Sequence, residues 1–143
     1  MTKAVLLEAG LVVDGSGGPG WPGDVLLQGD RIVALGEGLR HRLPHGLSLA
    51  DVEVIDCTAR VIAPGFIDAH THDDAIVLRD PLCLPKVSQG ITTVVTGNCG
   101  ISLAPYRTAQ SKPPLTLLGG DSFQYATMAE YRAAVTASQP ALN

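Results

Sequence analysis

Long hydrophobic runs are missing from this chain. The earliest, Ala4 to Leu7, is cut by Glu8, far short of a signal-peptide core or a spanning helix. This argues against a membrane and for a cytoplasmic protein. Excess basic charge is missing too: 10 Lys and Arg stand against 14 Asp and Glu, a formal net charge of −4 with no basic stripe, so nucleic acid is not the expected partner. Cysteine is scarce. Cys57, Cys83 and Cys99 are widely spaced in a chain with no export signal, which excludes a disulfide framework and makes reduced thiols the default. A special cysteine here would be a ligand or a nucleophile. There is no internal repeat and no low-complexity tract, and 45% hydrophobic with 17% charged residues excludes disorder and collagen.

Turn formers are abundant instead, with 16 Gly and 10 Pro falling between apolar runs, the pattern of many short elements. Strand-like runs dominate the first part: Ala4 to Leu7, Leu11 to Val13, Asp24 to Gln28, Arg31 to Leu35, Val52 to Asp56 and Val61 to Ala63. Gly29-Asp30 marks a tight hairpin turn between the third and fourth. Residues 1–62 therefore read as an antiparallel β unit with a loop over Gly36 to Ala50. From residue 63 onward the texture changes. Phe66 to His72 reads as a buried strand, Pro81 to Gln89 as a short helix stopped by Gly90, and Ile91 to Thr96 as a second strand. That order predicts a βαβ unit with parallel strands. A looser region over 97–123 precedes a helix from Thr127 to Ser138, opened by a Thr127–Glu130 capping box and followed by Pro140.

The chemistry concentrates in "APGFIDAHTHDD", Ala63 to Asp74. Side chains alternate along a strand, so Asp68, His70 and His72 should share one face. A lone histidine is more often structural, but two on one face directly after an apolar run suit a metal, and neutral imidazoles suit Zn²⁺. Asp68 lies one strand pitch deeper and is assigned a supporting role. Cys99, in "TGNCGIS", follows His72 by 27 residues, the span of one strand-helix-strand step. That places it at the C-terminal end of the neighbouring strand, on the rim where parallel α/β folds gather their active sites. Cys57 and Cys83 read as buried and inert.

Other groups receive no role. Gly15 to Gly20 matches the G-x-G-x-x-G pattern, but "WPGD" follows where a nucleotide-binding helix would have to begin, so it reads as a turn. Asp73 and Asp74 read as the start of a solvated loop. His41 and His45, among Arg40, Arg42 and Pro44, read as a solvated loop as well.

With these residues on the page, a resemblance is visible. "VIAPGFIDAHTHDD" resembles the first barrel strand of the amidohydrolase superfamily, "KVSQGITTVVTGNCGISLAP" is similar to the second strand and loop of the N-acyl-D-amino-acid deacylases, and "GLVVDGSGGPGWPGDVLLQGDRIVALG" resembles the small β domain that precedes their barrel. The resemblance implies an α/β protein with a β part: residues 1–62 as half of a composite β-sandwich, and 63–143 as the first two βα units of an incomplete (β/α)8 TIM barrel. It implies a zinc-dependent hydrolase of N-acyl-D-amino acids, in which His70, His72 and Cys99 hold Zn²⁺ and a carboxylate relays the proton to the leaving amine.

Only 81 residues follow the β unit, whereas such a barrel takes about 250. The expectation is an N-terminal piece whose catalytic aspartate lies beyond Asn143, with little or no turnover of its own. A small-molecule N-acyl-D-amino acid is the expected partner, with no specific protein partner. Two alternatives are a non-catalytic zinc-binding or structural fragment, and another amidohydrolase branch acting on cyclic amides or ureas. Open strand edges predict poor solubility in isolation.

Overall fold

The computed structural model describes residues 3–119 and 123–143, and these fall into two units, Met1–Pro64 and Gly65–Asn143. The first is one five-stranded sheet built from β1 (Ala4–Val12), β2 (Trp21–Gln28), β3 (Arg31–Gly36), β4 (Val52–Asp56) and β5 (Val61–Ile62). The order is β3-β2-β1-β4, with β5 also beside β1. The Gly29-Asp30 turn joins β2 to β3 with Gln28 opposite Arg31, and Gly29 takes the positive φ of 62° that such turns need.

The expected all-antiparallel unit is corrected. β1 pairs antiparallel with β2 but parallel with β4 and β5. The segment after β3, with short 3₁₀ turns at Leu39–His41 and Leu49–Asp51, is long enough to carry the chain across to a parallel pairing. Apolar periodicity reports which face is buried, not which way a neighbour runs. One sheet is present rather than two facing ones. The second layer of a sandwich is not supplied by the described residues of this unit.

The runs Ala4–Leu7 and Leu11–Val13 belong to a single strand. The register shifts between Leu7 and Gly10, where Ala9 adopts φ 61°, so a bulge absorbs one residue and re-aims Glu8. The amide freed at Ala9 donates to Asp24 Oδ1 (2.8 Å), and the other oxygen of this buried carboxylate accepts from the Leu39 amide (2.9 Å). Apolar side chains then pack on both faces: Leu6 opposite Leu26 in one cluster with Ala4, Leu39 and Val52, and Val12, Val25, Cys57 and Ile62 in the other.

The bulge also sends Glu8 to Arg40, whose Nε and Nη2 each donate to its carboxylate at 2.7 Å. These bonds lower the Glu8 pKa below its ordinary 4.5. A lowered folded-state pKa contributes stability that is present above the unfolded value and lost as pH falls through the folded one. Thermal unfolding of wild type and Glu8→Gln at about pH 7 and about pH 3 should therefore converge at the acid end and differ at neutrality. An equal gap at both pH values would contradict this.

The second unit opens with β6 (Phe66–Thr71) and continues through two one-turn helices, α1 (Ile76–Arg79) and α2 (Leu84–Val87), to β7 (Ile91–Thr96). β6 and β7 pair in parallel, as the βαβ pattern predicts. The single helix expected over Pro81–Gln89 is shortened at its start, because Cys83 sits in the left-handed region (φ 46°) and α2 begins only after it. Gly90, φ 79°, ends the segment as expected. Asn143 joins the other edge of β7: its amide donates to Thr92 O (2.9 Å) and its carbonyl accepts from the Val94 amide (3.0 Å).

Further along are β8 (Tyr106–Arg107) and β9 (Gln124–Tyr125), an antiparallel pair, and α3 (Met128–Ser138). Within the looser region, residues 120–122 lie outside the described residues. The capping box is present: Thr127 Oγ1 accepts from the Glu130 amide (3.2 Å), and Glu130 Oε2 accepts from the Thr127 amide (3.3 Å). Tyr131 of α3 packs into a core with Ala75, Leu103, Ala104, Leu118 and Phe123. The reading of β6 as a buried strand fails, since Phe66 and Ile67 are each 66% exposed. Among the described residues β6 pairs with β7 alone, and a strand becomes fully buried only when both its faces are covered. No helix among the described residues is long and apolar enough to cross a membrane.

Candidate metal centre

Parallel pairing puts the C-terminal ends of β6 and β7 side by side, with Thr71 opposite Thr96. His70 lies on the last turn of pleat in β6, His72 just beyond it, and Cys99 in the loop that leaves β7. The structure brings all three together: one ligand atom from each lies within 4.8 Å of the others. Cys99 Sγ is 3.6 Å from His72 Nε2 and 3.7 Å from Nδ1. The two imidazole centroids are 6.0 Å apart and inclined at 58°.

The loop is shaped to deliver the thiol. Gly97 (φ 76°) and Gly100 (φ 84°) occupy the left-handed region that glycine enters without a Cβ penalty, and the Gly100 amide donates to Gly97 O (2.9 Å) to close the turn around Asn98 and Cys99. Two bonds then tie this loop to the histidine segment. Asn98 Nδ2 donates to Ala69 O (2.9 Å), and Ser102 Oγ donates to Asp74 Oδ1 (3.0 Å).

Three sequence expectations are revised. Asp68 does not join the histidine face: a register shift between Asp68 and Thr71 breaks the strict alternation, and its Oδ2 pairs with Lys86 Nζ at 2.5 Å while Oδ1 accepts from the His70 amide at 3.2 Å. That pairing lowers the Asp68 pKa and raises that of Lys86. Asp73 is not solvated loop; its Oδ2 lies 3.1 Å from Lys86 Nζ as an ion pair without hydrogen-bond alignment. Asp74 is wholly buried, with Oδ1 accepting from Ser102 Oγ and from the Leu103 amide (3.3 Å), and no hydrogen-bond partner for Oδ2 among the described residues. The Tyr131 hydroxyl donates to the Asp74 carbonyl (3.0 Å); burial first, then the nearby Asp74 charge, pushes that phenol upward.

Lys86 is the charged neighbour of the site that pattern reading missed. Its one signal is that it is the only cation between Arg79 and Arg107. Cys57 and Cys83 are buried, and the Cys83 thiol is pushed up by burial. His41 and His45 are exposed, and Gly15 to Gly20 leads into β2 with no helix.

Two imidazoles and a thiol suit zinc chemically, and the spacing can be tested. Zn–N near 2.1 Å and Zn–S near 2.3 Å at a tetrahedral angle require donors about 3.6 Å apart. The His72–Cys99 separation of 3.6 Å meets that requirement. Two imidazoles and a thiol gathered on the rim of parallel strands form a donor set that fits a metal ion.

The chain belongs to the amidohydrolase family, whose sequence profile matches residues 53–139. It is 48% identical over 139 residues to an N-acyl-D-aspartate deacylase of Alcaligenes xylosoxydans xylosoxydans, covering 96% of this chain and 26% of that enzyme. A solved D-aminoacylase with a binuclear metal centre superposes with a TM-score of 0.84 at 46% identity, over 97% of this chain and 28% of its own. The N-acyl-D-glutamate deacylase of Bordetella bronchiseptica, solved with zinc and a phosphonate inhibitor, gives the same TM-score at 37% identity, over 100% of this chain and 28% of its own. The chain thus spans little more than a quarter of the length of the relatives it matches.

Proposed function

We propose that this chain carries the first metal-binding elements of an N-acyl-D-amino-acid deacylase, with His70, His72 and Cys99 as zinc ligands. The observation that carries the proposal is the convergence of their donor atoms within 4.8 Å on two parallel strand ends. When bound, zinc supplies Lewis-acid charge for an amide carbonyl and lowers the pKa of water towards about 7. The chain's own part is to hold the ligands: the Asn98–Ala69 and Ser102–Asp74 bonds keep the cysteine loop against the histidine strand. The similarity to deacylases of N-acyl-D-amino acids over nearly the whole chain supports that substrate class.

The same geometry argues for metal binding without turnover by residues 1–143. Deacylation needs a carboxylate to relay the proton to the leaving amine. The three carboxylates flanking the histidines are committed elsewhere: Asp68 and Asp73 to Lys86, Asp74 to Ser102 and Leu103. The purified chain, dialysed against zinc, should retain about one equivalent of metal yet hydrolyse N-acyl-D-amino acids at a negligible rate. Retention of no metal would remove the ligand assignment. Turnover at a full enzymatic rate would remove the assignment of an incomplete catalytic set.

A further inference from the structure

Lys86 stands at the centre of a polar cluster that no metal-ligand assignment uses. Its Nζ lies 2.5 Å from Asp68 Oδ2, 3.2 Å from Thr71 Oγ1 and 3.1 Å from Asp73 Oδ2. Two of the ammonium's donors meet Asp68 Oδ2 and Thr71 Oγ1, and Asp73 Oδ2 adds an ion pair without hydrogen-bond alignment. The residues gripped are 68, 71 and 73, while the candidate ligands are 70 and 72, so the lysine holds Asp68 two residues before His70, Thr71 between the histidines and Asp73 directly after His72. The side chains are only partly exposed, 24% for Lys86, 26% for Asp68 and 19% for Asp73, so solvent screens the cluster less than it would a surface pair. In a regular strand, positions 68 and 71 face opposite ways. One group can reach both because the register shifts between them.

We propose that Lys86 is a positioning residue: by binding Asp68, Thr71 and Asp73 together, its ammonium holds the end of β6 in the bulged form that presents His70 and His72 to Cys99, and it keeps the two carboxylates out of the ligand set. The inference rests on the metal-binding reading above. Removing the lysine leaves two carboxylates near the site with no cation between them. They are then free to rotate and to offer hard oxygen donors, which suit Mn²⁺ and Mg²⁺, beside the softer nitrogen and sulfur donors that suit Zn²⁺. The predicted signature is a change in metal preference as well as in affinity.

The test is a titration of the whole chain with Zn²⁺ and with Mn²⁺ against a chelating indicator, in wild type, Lys86→Met and Lys86→Arg, with folding followed by far-ultraviolet circular dichroism. Lys86→Met should bind Zn²⁺ about 10–100-fold more weakly, the usual effect of losing a group that orients ligands, while Mn²⁺ affinity holds or rises, narrowing the ratio. Lys86→Arg, which keeps the charge and several donors, should recover much of the wild-type ratio. Unchanged zinc affinity in Lys86→Met, or an equal loss for both ions, overturns the inference while leaving the metal site standing. Failure of the wild type to bind zinc overturns both. Should Lys86→Met lose its secondary structure, the double variant Asp68→Asn/Lys86→Met relieves the stranded charge; if that also unfolds, the lysine supports the fold rather than the site and the inference is overturned.

Discussion

Cys99→Ala is expected to weaken zinc binding by more than about a hundredfold. Zinc held by small protein sites is worth roughly 10–16 kcal/mol. Each tenfold in affinity is about 1.4 kcal/mol, so loss of one donor among three need remove only a modest share of that total to exceed a hundredfold. The thiol is the softest donor of the set and the one delivered by β7, so without it the two imidazoles of a single chain segment are left to hold the ion alone. Competition with a chelating indicator measures the affinity. Cobalt substitution adds an independent readout, because thiolate ligation gives an intense charge-transfer absorption that should vanish in Cys99→Ala. Cys57→Ala is the control: that thiol sits in the other unit, so its loss should leave the metal titration unchanged. Zinc affinity and the cobalt spectrum both unaltered in Cys99→Ala would remove the sulfur from the site.

Asp74→Ala should destabilise the second unit by about 2–4 kcal/mol, since two donors, the Ser102 hydroxyl and the Leu103 amide, lose their acceptor in or near the core. Leu103 has no exposed surface, so no water reaches its amide without a local opening. Asp74→Asn keeps a side-chain carbonyl in place and should cost less. The measurement must look at the correct unit: the sole tryptophan, Trp21, belongs to β2 of the first unit. Hydrogen exchange at the Leu103 amide reports the second unit directly, with protection falling steeply in Asp74→Ala. Because Ser102 follows Cys99 by three residues, the same variant should also loosen the cysteine loop and lower zinc affinity. Full protection at Leu103 would show that the buried carboxylate is not what holds the loop.

Much of this was legible from local pattern. β7 was bounded correctly by its β-branched run, α3 by its capping box and the β2–β3 hairpin by Gly29-Asp30, because each depends on interactions within a few residues. The three residues that the structure gathers at the rim were also legible, since a His-x-His on one strand and a cysteine one crossover later have few alternative geometries. The errors share a cause. The parallel pairing of β1 with β4, the exposure of Phe66 and Ile67, the burial of Asp74 and the diversion of Asp68 to Lys86 all depend on which distant segment comes to lie alongside.

What the amino-acid order determined by itself is the place of β3, β4, β7 and α3, the family, and which donors stand at the ends of which strands. Tertiary structure alone decided how those donors are held: the bulge at the end of β6, the lysine that grips it, and the buried aspartate that ties the two loops together. The physical reason is that periodicity and turn chemistry are written in consecutive residues, whereas a charge pair such as Lys86–Asp68, 18 residues apart, exists only once the chain has folded back on itself.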